Sequence, residues 1–411
     1  MTKSLFFFFL FVLNISLKAQ NIEVVAGPVY GHYTDSTSNF WMLVKPDLNT
    51  SLNGGWTSKF NVDLQQFFIQ KTGFSINRIN YTKIVEDIFV MVKGVLDVKK
   101  PKAKTKDICF LFGSCVFPYP ILWLTGKKKE LIFNSMAKHE KDFMIWLGDN
   151  VYYLLGEWKS AEKMHKKNLK TRLKPKLNSF MKSCPQYAMW DDHDFGSNND
   201  DGSNVSKYES LDIFKQYWVN PYYGLDTVEG TFTHFSHSDA DFFMLDTRFY
   251  ANESGLLGEA QFEWLKARLL ESKANFKFIL SGMQILTDNP SEEDMGDFGT
   301  TKEDLLEFLK LNKISGVILI SGDRHYGELV KLERKGTYPL FEITSSPLTA
   351  IVNPNYTRKN ILRVENTLIR KQNFGKIHLL GEDVNRKCRL ELYDRDGKSF
   401  WQYDVFLSEL Q

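Results

Sequence analysis

Only four cysteines occur in the 411 residues, at positions 109, 115, 184 and 388, too few for a disulfide framework. Proline is sparse at 12 residues and glycine ordinary at 26, which excludes collagen-like and low-complexity chains. An excess of one charge is missing too. The 52 basic and 50 acidic side chains leave a net charge of +2, and two of the lysines, Lys3 and Lys18, fall in the N-terminal leader. A chain so close to neutral lacks the electrostatic footprint that nucleic acid or an anionic membrane would require. Beyond the N-terminus, charges interrupt every apolar stretch, so no transmembrane anchor is expected. What is present is a globular composition, 43% hydrophobic and 14% aromatic, with enough length for one large domain and a smaller one.

Residues 1–20 (MTKSLFFFFLFVLNISLKAQ) combine an early lysine, an apolar run from Leu5 to Leu13 and small or polar residues around Ala19. That is the pattern of a secretory signal peptide, and the run is about half the length a bilayer crossing needs. The expectation is export to the periplasm or the extracellular space. No cysteine follows the run to accept a lipid.

Residues 21–98 carry short apolar runs, such as Phe40 to Val44 and Asp87 to Lys93, between Asn, Gly, Ser and Thr clusters. Such spacing predicts a small antiparallel β-sandwich. Residues 99–106 (KKPKAKTK) read as a solvated linker. From Asp107 to Gln411 the pattern becomes apolar strands alternating with helices. Strands are predicted at Ile108–Phe112, Phe143–Leu147, Tyr187–Trp190, Phe242–Leu245, Phe276–Leu280 and Val317–Ile320. Helices are predicted over Glu130–Lys141, Lys207–Trp218, Ala260–Glu271 and Lys302–Leu311. Continuous apolar strands between helices imply an α/β protein with its sheet buried on both faces. Arg389–Tyr393 and Trp401–Phe406, flanking Asp394 to Gly397, read as a closing hairpin.

Four of the predicted strands run straight into groups of potential metal ligands. Ile108–Phe112 leads to Gly113-Ser114-Cys115, and Phe143–Leu147 to Gly148-Asp149-Asn150-Val151-Tyr152. Tyr187–Trp190 leads to Asp191-Asp192-His193-Asp194 with Asn198 beyond, and Val317–Ile320 to Gly322-Asp323-Arg324-His325. Singly, each has a plain reading: a buried thiol, a turn, a helix cap. In an α/β sheet, however, ligands gather beyond the carboxyl ends of the strands, so the four groups should share one rim. Carboxylates that bridge two cations hold them about 4 Å apart, a spacing suited to in-line displacement at phosphorus. A thiolate and a phenolate favour a transition metal such as iron, whereas carboxylates and Asn198 suit a harder ion such as calcium. The stretch Trp218 to Tyr223 (WVNPYY) reads equally as a substrate wall or as core.

As an ordered set, Phe112-Gly113-Ser114-Cys115, Leu147 to Tyr152, Trp190 to Gly196 and Gly322 to His325 resemble the PhoD-like (alkaline phosphatase D) branch of the calcineurin-like metallophosphoesterases. Leu245-Asp246-Thr247-Arg248 and Thr344 to Leu348 add to the likeness, as do Ala26 to Val29 and Phe40-Trp41 near the start. The resemblance implies a four-layer α/β/β/α sandwich preceded by a small all-β sandwich domain, and hydrolysis of phosphate mono- or diesters by metal-activated hydroxide. It implies Fe3+ and Ca2+ as the ions, with Zn2+ or Mn2+ as alternatives. Carried over, Cys115, Asp149, Tyr152, Asn198, Asp323 and His325 would hold metal, and Asp149 would bridge. Asp149, Asp192, His193, Asn198 and Arg248 would form the catalytic set. A second tyrosine that the family places between the Asp149 and Asp191 motifs has no counterpart here; Met164, His165 and Lys166 stand in that stretch. The expected partner is a phosphate-ester substrate. The rival reading is a catalytically inactive secreted binding protein on the same scaffold.

Overall fold

The computed structural model describes residues 22–34, 36–46, 64, 65, 69, 75–84, 89–98, 107–119, 130–287, 293–353 and 360–411. The proposed leader and the 99–106 linker lie outside them. Four long strands come first: β1 (Ile22–Tyr33), β2 (Thr37–Pro46), β3 (Ser75–Ile84) and β4 (Phe89–Asp97). They pair antiparallel in the order β1-β2-β4-β3. The all-β N-terminal region is therefore present, as a single sheet among the described residues. Alternation along β2 explains how one sheet suffices. Phe40, Met42 and Val44 face a core of the sheet's own with Val90, Val92 and Leu96, while Trp41 and Leu43 face the opposite way into the body of the molecule.

That body holds two six-stranded sheets. The first begins with parallel β5 (Ile108–Gly113), β6 (Phe143–Leu147) and β7 (Gln186–Met189). The second contains β8 (Thr233–His237), β9 (Ala240–Met244), β10 (Phe276–Ser281), β11 (Val317–Ser321), β12 (Glu328–Leu332) and β13 (Leu340–Thr344), in the order β12-β13-β11-β10-β9-β8. The chain then returns to the first sheet with β14 (Asn373–Leu380), β15 (Lys387–Asp394) and β16 (Ser399–Phe406), giving β16-β15-β14-β5-β6-β7.

The sheets pack face to face through aromatic rings. Phe110 of β5 lies 5.1 Å from Phe143, 5.2 Å from Phe242 and 5.4 Å from Phe278 between ring centroids, so each sheet supplies two of the four. Residues of alternate parity point outwards: Leu111, Met144 and Trp146 meet Phe133, Met136 and Phe180 of the covering helices Leu131–Lys138 and Pro175–Met181. On the far side Glu259–Glu271 and Thr301–Leu311 bury Leu265, Leu269, Leu305 and Leu309. Two buried faces per sheet account for the unbroken apolar strands, and the result is the expected α/β/β/α order of layers.

Of its two readings, Trp218 to Tyr223 takes the core one. Trp218 is buried beneath the N-terminal sheet and Tyr223 packs half-buried against the same core, where the Lys93 ammonium donates to the carbonyl of Trp218 at 2.6 Å and lies 5.6 Å from the Tyr223 ring centroid. Burial of large aromatic area outweighs exposure at such a junction.

Candidate metal centre

The carboxyl ends of β5, β6, β7 and β11 meet along one rim where the two sheets come together. Close approach across it requires small residues. A Cβ on Gly322 would lie 2.7 Å from Ser114 Cβ and 2.9 Å from the Leu147 carbonyl, and one on Gly148, whose φ is +93°, would lie 2.5 Å from Asp191 Cβ. Backbone bonds then stitch the strand ends together: Val116 N–H donates to Asp149 O at 2.7 Å and Leu348 N–H to Ser114 O at 2.8 Å.

Cys115, Asp149, Tyr152 and His325 come together here. Cys115 Sγ is 3.4 Å from Asp149 Oδ2, the Tyr152 hydroxyl donates to the same Oδ2 at 2.8 Å, and its oxygen is 3.2 Å from His325 Nε2. The His193 ring stacks 4.2 Å from that of Tyr152, and its backbone N–H donates to Asp149 Oδ1 at 3.2 Å. Three groups of donors emerge whose ligand atoms lie within 4.8 Å of one another: Cys115, Asp149 and His325; Asp149, Asp192 and His193; and Asp191, Asp192 and Asp323. Asp149 and Asp192 each belong to two of them. Asn198 stands apart, exposed and donating from Nδ2 to Asn199 at 2.7 Å, while the Asn199 N–H closes the loop on Asp192 Oδ2, also at 2.7 Å.

Of the ten non-glycine residues with left-handed backbone among those described, four are Cys115, Asp149, Asp323 and His325, with φ between 52° and 63°. Side-chain-bearing residues pay for that region, and such strain gathers at functional sites.

The electrostatics suit positive ions. Burial, and then the charges of Asp192, Asp191, Asp194 and Asp323, push the Asp149 carboxyl far above the usual carboxylate range. Burial likewise raises the Cys115 thiol, with Asp149 and Asp323 adding to the effect, and the Tyr152 phenol, with Asp149 and Cys115 adding. A cation among these donors would reverse each shift. His193 Nδ1 is also buried with no protein partner. The donor set of carboxylates, imidazoles, a thiol and a phenol therefore fits metal ions.

Positively charged neighbours hold the acidic group in shape. Arg248, fully buried, donates from Nε to Asp191 Oδ1 at 2.6 Å and pairs through Nη2 with Glu293 Oε2 at 2.9 Å. Although burial opposes it, Arg248 together with His193 keeps Asp192 below the ordinary carboxylate value. Asp194 faces the other way: its carboxylate accepts from the backbone N–H groups of Asn150, Val151 and Asp191 at 3.0 to 3.2 Å, fixing the turn that carries Asp149. His165, in the stretch without the second tyrosine, lies on the helix Ala161–Arg172 and meets Tyr217.

Sequence reasoning missed several contributors. Ser346 Oγ bonds Cys115 Sγ at 3.1 Å and accepts from His325 N–H at 2.9 Å, and Ser114 Oγ accepts from Asp323 N–H at 3.1 Å. Gln284 accepts from Arg324 Nε at 3.0 Å and donates to Glu328 and Thr344, each at 2.9 Å. Glu293 and Asp191 complete the tally. Ser114, Asp191 and Ser346 stood within motifs but were given no role; Gln284 and Glu293 stood in none.

The sequence pattern of the PhoD-like phosphatases matches residues 127–382, a span holding three of the four ligand-bearing motifs. The chain belongs to the PhoD-like phosphatase family. No curated protein matches it. Among solved structures, "Structure of PhoD" superposes with a TM-score of 0.63 at 14% identity, covering 96% of this chain and 93% of that one. A purple acid phosphatase isolated from yellow lupin (Lupinus luteus) seeds superposes with a TM-score of 0.64 at 10% identity, covering 92% and 74%. At those identities the likeness is one of fold. Family membership makes this PhoD-like chain a phosphoesterase.

Proposed function

We propose that the chain is an exported, metal-dependent phosphoesterase acting on phosphate mono- or diesters at the rim described above. The observation that supports this reading best is the convergence of Cys115, Asp149, Tyr152, Asp192, His193, Asp323 and His325 on one largely buried patch, with Asp149 and Asp192 each common to two donor groups. Cys115, Asp149, Tyr152 and His325 would hold one ion, and the carboxylates of Asp149, Asp192 and Asp323 a second. Thiolate and phenolate donors favour iron in the first site, and the carboxylate-rich second site suits calcium, with zinc or manganese as alternatives. Bound ions would lower the pKa of water and offset negative charge on the phosphoryl group.

The chain's own residues do the rest. Asp149 joins the two halves of the site. His193, stacked on Tyr152 and anchored through its N–H to Asp149, places an imidazole at the rim, where it can hold or deliver a proton. Arg248 braces Asp191, and Asn198, on the exposed loop that closes on Asp192, would contact the substrate. The export part of the reading rests on residues 1–20 alone.

Asp149→Ala or Asp323→Ala is expected to lower hydrolysis of an aryl phosphate ester by at least about 10³-fold, and to lower stoichiometric metal content, with an unchanged circular dichroism spectrum. Wild-type turnover in either variant would refute the site. Metal analysis of the wild-type chain separates the rival reading, since an inactive scaffold has no need for stoichiometric ions.

A further inference from the structure

Beneath the Asp149 turn lies a small cavity of about 20 Å³ lined by Asn150, Asn168, Thr171, Arg172, Trp146 and Trp218 among others. All of these residues are buried. Two of the lining residues carry a buried side-chain atom without a protein partner, Asn150 Oδ1 and Arg172 Nε, and these residues are only 8% and 4% exposed. The orientation of the Asn150 amide is fixed, because its Nδ2 donates to Met189 O at 2.8 Å and to Asp194 Oδ2 at 3.2 Å. The remaining oxygen is an acceptor, and Arg172 Nε is a donor.

The guanidinium is unusual in its company. It lies 4.3 Å from the ring centroid of Trp218, 5.1 Å from that of Trp41 and 5.2 Å from that of Tyr217, and Nη1 reaches Met181 Sδ at 3.5 Å. Trp41 comes from the N-terminal sheet, so this one cation joins that sheet to the catalytic body.

We propose that the cavity is a single-water site, in which the water accepts from Arg172 Nε and donates to Asn150 Oδ1, linking the N-terminal sheet to the turn that carries Asp149. The size is right for one water, which needs about 10–15 Å³ and two to four polar partners. A buried donor and acceptor left unmet would each destabilise the fold, and one water satisfies both. An anion is the poorer occupant, because the Asn150 oxygen would repel it.

A crystal structure of the full chain at high resolution, with one crystal soaked in bromide, tests the site. Expected is one water peak within hydrogen-bond distance of both atoms and no anomalous signal. A cavity without density, or an anomalous bromide peak, would overturn it. Amide hydrogen exchange tests the link without depending on crystals. Trp41→Leu, which loosens the guanidinium, is expected to speed exchange at Asn150 and Val151 several-fold, while amides of β10 keep their rates. Unchanged exchange at both positions would sink the coupling. If Trp41→Leu fails to fold, Arg172→Met, which keeps the side chain's bulk and removes the donor, is measured in its place with the same two outcomes.

Discussion

At the scale of single residues, the ligand candidates cannot be read as ordinary polar side chains on a loop. A left-handed backbone costs a residue with a side chain about 1–2 kcal/mol, and Cys115, Asp149, Asp323 and His325 all adopt it. Ser346 and Ser114 brace two of them, accepting from the backbone N–H groups of His325 at 2.9 Å and Asp323 at 3.1 Å. Arg248→Lys keeps the charge but loses the planar fork that reaches Asp191 and Glu293 together. We expect it to weaken metal affinity by about 10–100-fold with little loss of melting temperature, as a metal titration would show. Unchanged affinity would deny Arg248 its positioning role. The convergence of the candidate ligands was legible because Asp, His and Cys after an apolar strand form a visible pattern. The supports were not. A serine or a glutamine carries no signal of its own, and Gln284 reaches Arg324 only because two distant segments fold together.

Most strands buried on both faces were legible, although the interior strand β13 was not. Predicted and observed strands agree within two residues at either end, from Phe143–Leu147 to Val317–Ser321, because a strand covered on both faces is a continuous apolar run. The helices Ala161–Arg172 and Pro175–Met181 escaped notice. The first is rich in lysine, and its buried positions include Asn168, Thr171 and Arg172, so apolar periodicity could not reveal it. Strands β8 and β12 lie at the edges of their sheet and alternate too weakly to stand out. The closing hairpin was visible, and it carries a pH-dependent contact. Asp404 accepts from Arg389 Nε at 2.7 Å and Lys387 Nζ at 2.6 Å, and Arg389 above all holds its carboxyl down at about 2 from an ordinary 3.8. A depressed carboxyl stabilises the fold at pH values above 3.8, and that contribution fades as the pH falls towards 2. Asp404→Asn should therefore melt slightly lower than wild type at pH 7 and converge with it near pH 2. A gap that persists at low pH would contradict the assignment.

In the whole molecule, the N-terminal sheet and the catalytic body share one core. Trp41, Leu43 and Met91 pack with Phe180, Tyr217 and Trp218, which composition alone could not disclose, since a change of pattern at the 99–106 linker suggests separate units. Trp41→Ala is expected to cost about 3–5 kcal/mol, and denaturant unfolding of wild type should remain a single transition. Two resolved transitions would show that the sheet folds independently.

The order of strands in the first sheet has a further consequence. β5 is flanked by β6 on one side and on the other by β14, whose residues follow more than 250 positions later. A chain made from its N-terminus must therefore carry the free edge of β5 unpaired until residues 373–380 arrive. Such long-range pairing slows folding and leaves an aggregation-prone edge open meanwhile. A polypeptide wired in this way stays unfinished until almost its last strand is made, and a truncation before Asn373 would strip β5 of a neighbour, however complete its ligand motifs.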